Sequence, residues 1–448
     1  MSRLTIINGR LIDPAHEIDT EAAVVLEDGK VVEVDPGGKP DGPVFDADGC
    51  IVSPGLIDPH VHLREPGQED KETIASGAAA AVAGGFTSVC CMPNTDPAID
   101  DDGRVEFVYR QAQRAGLANV FPVGAVTKNR EGERLAEIGL MAESGAVGFT
   151  DDGVAVANAG MMAKALAYIA MTGKVIMQHC ENPDLGGGAM NAGPLATRLG
   201  LSGWPRVAEE IIIQRDILLN LRQNVGARYH VQHLSSGGSV EIVRRARQDL
   251  FGQAHITAEA SPHHLLLTDQ ACETYDTNYK MNPPLRGRRD IEDLLAGIAD
   301  GTITILATDH APHTAEEKEL EFEAAPYGII GLECALPLYA KAIIESETLD
   351  WPAMLAMLTV NPARLCTLEG KGHLGVGADA DVTIIDPKEK WTIDIDRFLG
   401  KSRNCPFHDW NVTGRAVATI VGGEVKYATD PERLKNGAPA PRLTADSE

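Results

Sequence analysis

Between residues 51 and 308, short apolar runs rich in Val, Ile and Thr alternate with Ala- and Leu-rich stretches of helical length. Eight runs have the length and texture of strands: Ile51 to Leu63, Thr87 to Met92, Val120 to Val126, Ala146 to Thr150, Val175 to His179, Tyr229 to Leu234, His255 to Glu259 and Thr304 to Thr308. Lys71 to Ala83, Gly103 to Ala115 and Val207 to Asn224 read as helices between them. Eight such repeats over roughly 320 residues predict an α/β fold, a (β/α)8 barrel. A doubly wound open sheet is the alternative, but no Gly-rich dinucleotide fingerprint follows the first strand.

The two ends have a different texture. Leu4-Thr5-Ile6-Ile7 runs into Asn8-Gly9, a hairpin signal, and Ala23 to Leu26 leads through Glu27-Asp28-Gly29 into Val31 to Val34. Asp381 to Asp386 and Ala416 to Val425 repeat this pattern of short strands and Gly turns. A small β-sandwich domain built from both ends is expected, from residues 1–52 and 371–428, flanking a barrel over 53–370. Residues 429–448, rich in Pro, Ala and charge, read as a loosely held tail.

Composition narrows the partners. A formal net charge of −25 opposes nucleic acid and anionic membrane surfaces, so an anionic substrate has to be captured by local cations. No apolar stretch approaches membrane-spanning length, and Met1-Ser2-Arg3-Leu4 lacks a signal-peptide core. The eight cysteines have no zinc-ribbon spacing. A reduced, cytoplasmic protein with buried thiols is expected.

Active-site groups of such barrels sit at the C-terminal ends of the strands. Here those ends carry His60, His62 and Arg64, then Met92-Pro93-Asn94-Thr95, then Thr150-Asp151-Asp152-Gly153. Further along come Gln178-His179, Gln232-His233 and Thr308-Asp309-His310-Ala311-Pro312-His313. His60 and His62, two apart on a strand, share one face. Taken singly, His179 is an ordinary core histidine, Asp151-Asp152 a turn and Asp309 a helix cap. Taken together, four imidazoles and two carboxylates at one rim match one or two zinc ions with a position left for water. Strand alternation lets either Asp151 or Asp152 point inward. Asp309 is assigned as the carboxylate that moves the proton, and Arg64 as a clamp for a substrate carboxylate, with Asn94 and Asn282 as amide donors. The implied chemistry is metal-assisted hydrolysis of an amide-like bond, or its reverse. His230, His263 and His264 are read as lying outside the ligand set.

These motifs, with Asp58 to Gly67 and Asn282-Pro283-Pro284-Leu285-Arg286, resemble the cyclic amidohydrolases, and within them the class I dihydroorotases, over nearly the whole chain. The resemblance implies interconversion of N-carbamoyl-L-aspartate and L-dihydroorotate in pyrimidine synthesis. It implies one metal on His60, His62 and Asp309, a second on His179 and His233, and Asp152 between them. The substrate carboxylate falls to Arg64 and Asn94, helped by Asn282 and His313, with Tyr327 and Gly328 lending backbone contacts to the ring. Tyr327 stands where the family usually has Phe. Hydantoinases, dihydropyrimidinases and allantoinases bridge their metals with a carboxylated lysine on the fourth strand, where this chain has Thr150-Asp151-Asp152. The alternatives are therefore another cyclic-amide hydrolase, disfavoured by Arg64 and Asn94, and an inactive scaffold for aspartate transcarbamoylase, disfavoured because every ligand histidine is present. The family also suggests a homodimer.

Overall fold

A computed structural model describes residues 3–445 except 39, 41, 223–224 and 249. Two parallel sheets form the centre. Leu56–Val61, Phe86–Cys91 and Asn119–Pro122 make the first; Gly148–Phe149, Val175–Gln178, Arg228–Val231, Ile256–Ala260 and Ile305–Leu306 make the second. Single parallel bridges, Gly124 to Phe149 and Val61 to His310, join the two sheets at both edges. Helices Ile74–Ala83 and Asp102–Ala115 pack outside, the first capped by Thr73, the second by Asp101 and closed by Gly116 in the left-handed region. The helix expected over Val207 to Asn224 runs Val207–Arg222, and Asn224 lies outside the described residues. Ile74, Val89, Phe149, Ile176, Tyr229 and Leu306 belong to one large apolar cluster. At about 1.5–3 kcal/mol for each large side chain removed from water, that cluster holds the strands in place.

The first expected strand, Ile51 to Leu63, is two strands. Ile51–Pro54 pairs antiparallel with Val382–Thr392 and parallel with Arg10–Asp13, whereas Leu56–Val61 pairs with Phe86–Cys91. Gly55 makes the transfer, since a Cβ there would lie 2.1 Å from Thr87 Oγ1. Replacing Gly55 by Ala is expected to cost about 1–3 kcal/mol through overpacking, read as a lower midpoint in urea unfolding.

The ends of the chain build two further sheets. One is five-stranded and holds Arg3–Ile7, Val24–Glu27, Lys30–Val34, Val44–Asp46 and Leu434–Lys435. The other is seven-stranded, and the two share an apolar cluster that includes Leu4, Ile6, Leu26, Val52, Val382 and Ile420. Asn8-Gly9 is not a hairpin turn, because Arg3–Ile7 and Arg10–Asp13 lie in different sheets. Gly9 is pressed against Val52, so the pair forms a corner where the chain changes sheet. The hairpin signal at Glu27-Asp28-Gly29 does turn a hairpin, with Glu27 opposite Lys30. The tail expected to be loose instead adds strands: Leu434–Lys435 pairs with Val44–Asp46, and Leu443–Thr444 with Glu424–Ala428. All eight cysteines are buried free thiols, and no described helix is long and apolar enough to cross a membrane.

Candidate metal centre

The Asp58 carboxylate ties the first parallel strand to the eighth by accepting the N–H groups of His60 at 3.0 Å and Thr308 at 3.2 Å. That brings His60 and His62 beside Asp309, which has a left-handed backbone (φ 49°). Each imidazole is then aimed by its other nitrogen. His60 Nδ1 faces Glu259 Oε1 at 2.6 Å, and His62 Nδ1 faces Asn94 Oδ1 at 2.8 Å, so both Nε2 atoms turn to the centre. His179 Nδ1 meets His233 Nε2 at 2.9 Å, and Glu181 Oε2 sits 3.2 Å from His179 Nε2.

Asp151 and Asp152 divide sharply. Asp151 accepts the backbone N–H groups of Val126 and Thr127, both at 2.9 Å, together with the Thr127 hydroxyl, and is fully used in holding the loop. Asp152 enters the centre. Its Oδ1 lies 3.3 Å from His60 Nε2 and 3.7 Å from His179 Nδ1, and its Oδ2 lies 3.5 Å from His62 Nε2. Asp309 Oδ1 lies 3.0 Å from His62 Nε2 and 3.4 Å from His60 Nε2.

These separations fit a cation better than they fit direct ion pairs. A charge-assisted N–H···O bond runs about 2.7–2.9 Å. Two ligands at about 2.1 Å from one tetrahedral ion lie about 3.4 Å apart. Asp152 Oδ1 and His233 Nδ1 are buried with no hydrogen-bond partner, although buried polar atoms are nearly always paired. His60, His62 and Asp152, His60, His233 and Asp309, and Asp152, His179 and His233 each converge closely enough to hold one ion.

The charges reinforce one another. Burial opposes ionisation of His60, yet Asp309, Asp152 and Glu259 together hold its pKa well above the usual value. Burial, then His179, pushes His233 down to about 3, leaving it a neutral donor. Asp152 stays ionised well below the carboxylate range, against burial, because His60, His62 and His179 surround it.

His62, Asp152, His179, His233 and Asp309 line a cavity of about 240 Å³ together with Arg64, Asn94, Asn282, His313, Tyr327 and Gly328. Arg64 Nε donates to Pro312 O at 3.1 Å, and its Nη groups have no protein acceptor among the described residues. Burial lowers its pKa to about 10, so it remains cationic. Asn94 is already engaged: beyond its bond to His62, its Nδ2 donates to Asp152 at 3.4 Å. Asn282 Nδ2 donates to Glu181 at 3.0 Å and its Oδ1 is unpaired. His313 Nε2 faces Tyr327 O at 2.8 Å, which places the ring against the Tyr327-Gly328 wall. His263 and His264 fall in none of the ion-holding groups.

Glu259 was not singled out from the sequence. It accepts from His60, from His230 Nε2 at 2.8 Å and from the His233 N–H at 3.1 Å. An acid within the apolar strand Ile256–Ala260 was the available signal. His230 thus meets Glu259 and falls in none of the groups that could hold an ion.

A Dihydro-orotase-like family model matches residues 49–239, and an Amidohydrolase family model matches 289–427. The dihydroorotase of Geobacter sp. (strain M21) is 47% identical over 95% of this chain and 99% of its own length. The chain belongs to the dihydroorotase family. The dihydroorotase of Syntrophotalea carbinolica is 48% identical over the same shares. Among solved structures, the L-hydantoinase (dihydropyrimidinase) from Arthrobacter aurescens matches with a TM-score of 0.84 and 27% identity, covering 95% of this chain and 96% of that one. At the fourth-strand corner of this dihydroorotase-family site, Asp152 lies between the His60 and His179 imidazoles.

Proposed function

We propose that the chain interconverts L-dihydroorotate and N-carbamoyl-L-aspartate at this centre, with the eight parallel strands acting as one (β/α)8 barrel and the two terminal sheets as a β-sandwich beside it. The observation that carries the reading is Arg64, a buried cation with free Nη groups at the edge of a carboxylate–imidazole cluster. A planar guanidinium recognises a carboxylate bidentately, and the dihydroorotate ring bears one.

His60, His62, His179, His233, Asp152 and Asp309 would hold one or two divalent cations, zinc by the nature of the donor set. Such a cation, when bound, polarises the ring carbonyl and acidifies a water molecule. Arg64 fixes the ring carboxylate, Asn282 and the wall at Tyr327-Gly328 orient the ring, and Asp309 handles the proton. In hydrolysis Asp309 accepts the proton of the attacking water and delivers it to the ring nitrogen as the C–N bond breaks. In ring closure it takes the proton from the carbamoyl nitrogen and returns it to the departing oxygen.

A side-by-side assay of dihydroorotate, hydantoin and allantoin tests the assignment. A site built around a charged partner rejects an analogue lacking it by about 10⁴-fold. Dihydroorotate is therefore expected to exceed the other two in kcat/KM by that order. Equal or better turnover of hydantoin would overturn the reading.

A further inference from the structure

The pocket wall at Pro326-Tyr327-Gly328 is held from behind by two buried lysines. Lys280 Nζ donates to Glu323 O at 2.9 Å and Ala325 O at 2.7 Å, and lies 4.6 Å from the centre of the Tyr327 ring. Lys318 Nζ donates to Pro326 O at 3.0 Å and Gly328 O at 3.2 Å. His313 takes Tyr327 O, and Asn404 Nδ2 shares Gly328 O at 3.0 Å. Four successive carbonyls, 325 to 328, are thus taken up by side-chain donors. The wall is also tight, since a Cβ on Gly328 would lie 2.7 Å from Ala311 O.

Neither ammonium has a salt-bridge partner among the described residues. The carboxylates nearby are engaged elsewhere: Glu317 with Lys71 at 2.8 Å and His313 at 3.0 Å, Glu323 with the N–H and hydroxyl of Ser202, and Asp276 with the Asn278 N–H. Pinning carbonyls does not require charge, because neutral amides do it as well. A strongly hydrated ammonium buried with only carbonyls for hydrogen-bond partners is a costly choice, and it sets a cation without an ion-pair contact behind the wall. In a chain of net charge −25, such charge is scarce next to a pocket.

We propose that Lys318, seconded by Lys280, is a positioning and specificity-determining residue whose ammonium, set without an ion-pair contact behind the Pro326-Tyr327-Gly328 wall, makes the pocket select a ring that carries a carboxylate. The inference rests on the reading of the pocket given under Proposed function. Burial, with Lys280 nearby, pushes Lys318 down to about 7, against the weaker pull of Asp276 and Glu317. An anion in the pocket opposes that push, so ring and ammonium favour each other's charged forms.

The test uses the full-length metal-loaded enzyme with dihydroorotate. Lys318→Met is expected to raise KM at least fivefold with kcat within threefold of wild type, and Lys318→Arg to return KM to within threefold. Thermal midpoint and metal content identify folded protein. Should the Met variant not fold, Lys318→Gln, which keeps a donor for the carbonyls but no charge, is held to the same fivefold criterion. A KM shift below fivefold, or failure of Arg to rescue, overturns the inference while wild-type turnover leaves the assigned reaction standing. Absence of wild-type turnover of dihydroorotate overturns both.

Discussion

Asp309→Asn is expected to lower turnover of dihydroorotate by about 10²–10⁴-fold in both directions, the range typical of removing a positioned acid–base group. Asn is the informative substitution for a structural reason. Residue 309 has φ 49°, a left-handed conformation that Asn and Asp tolerate better than other side chains. The amide also keeps an oxygen beside His62 Nε2, which now lies 3.0 Å from the carboxylate. What it cannot do is accept and return a proton. Rates of ring opening and closure, measured with metal content and thermal midpoint on the same sample, separate lost chemistry from lost metal. Residual activity within tenfold of wild type, with metal retained, would remove Asp309 from its assigned role.

The parts of the site that could be read directly from the chain are those fixed by strand ends. His60, His62, His179, His233 and Asp309 end apolar runs, and a parallel α/β sheet delivers such ends to one rim. The choice between Asp151 and Asp152 could not be read that way, because two adjacent residues on a loop have no fixed alternation. It is decided by Val126 and Thr127, whose N–H groups consume Asp151. Glu259 stayed hidden for a different reason: its partners His60, His230 and His233 come from other strands, and an acid in an apolar strand carries no spacing motif. At Gly55 the signal was present and outweighed, since Pro54-Gly55 is a breaker inside an otherwise continuous apolar run. Asn8-Gly9 is the reverse case, a local turn preference overridden by packing against Val52.

The same hidden residue carries the second large effect. Glu259→Gln is expected to weaken metal binding by about 10–100-fold, the usual consequence of losing the group that orients a ligand histidine. The carboxylate now serves His60 at 2.6 Å, His230 at 2.8 Å and the His233 N–H at 3.1 Å, and a single amide oxygen cannot satisfy all three. One donor left buried without a partner costs about 1–3 kcal/mol. The substitution also changes the response to acid. Burial opposes ionisation of Glu259, but His60 and His230 hold its pKa at about 2, below the ordinary 4.5. A carboxyl with a depressed folded pKa contributes stability that is complete above its unfolded value and is lost as pH falls from about 4.5 toward 2. Wild-type protein stripped of metal should therefore lose thermal midpoint more steeply than Glu259→Gln as the pH is lowered from 6 toward the acid limit of its solubility. Titrating both proteins with zinc at neutral pH, and melting both across that acid range, reads the two effects independently. Equal zinc affinity together with parallel acid slopes would mean that Glu259 neither aims His60 nor is charged in the folded protein.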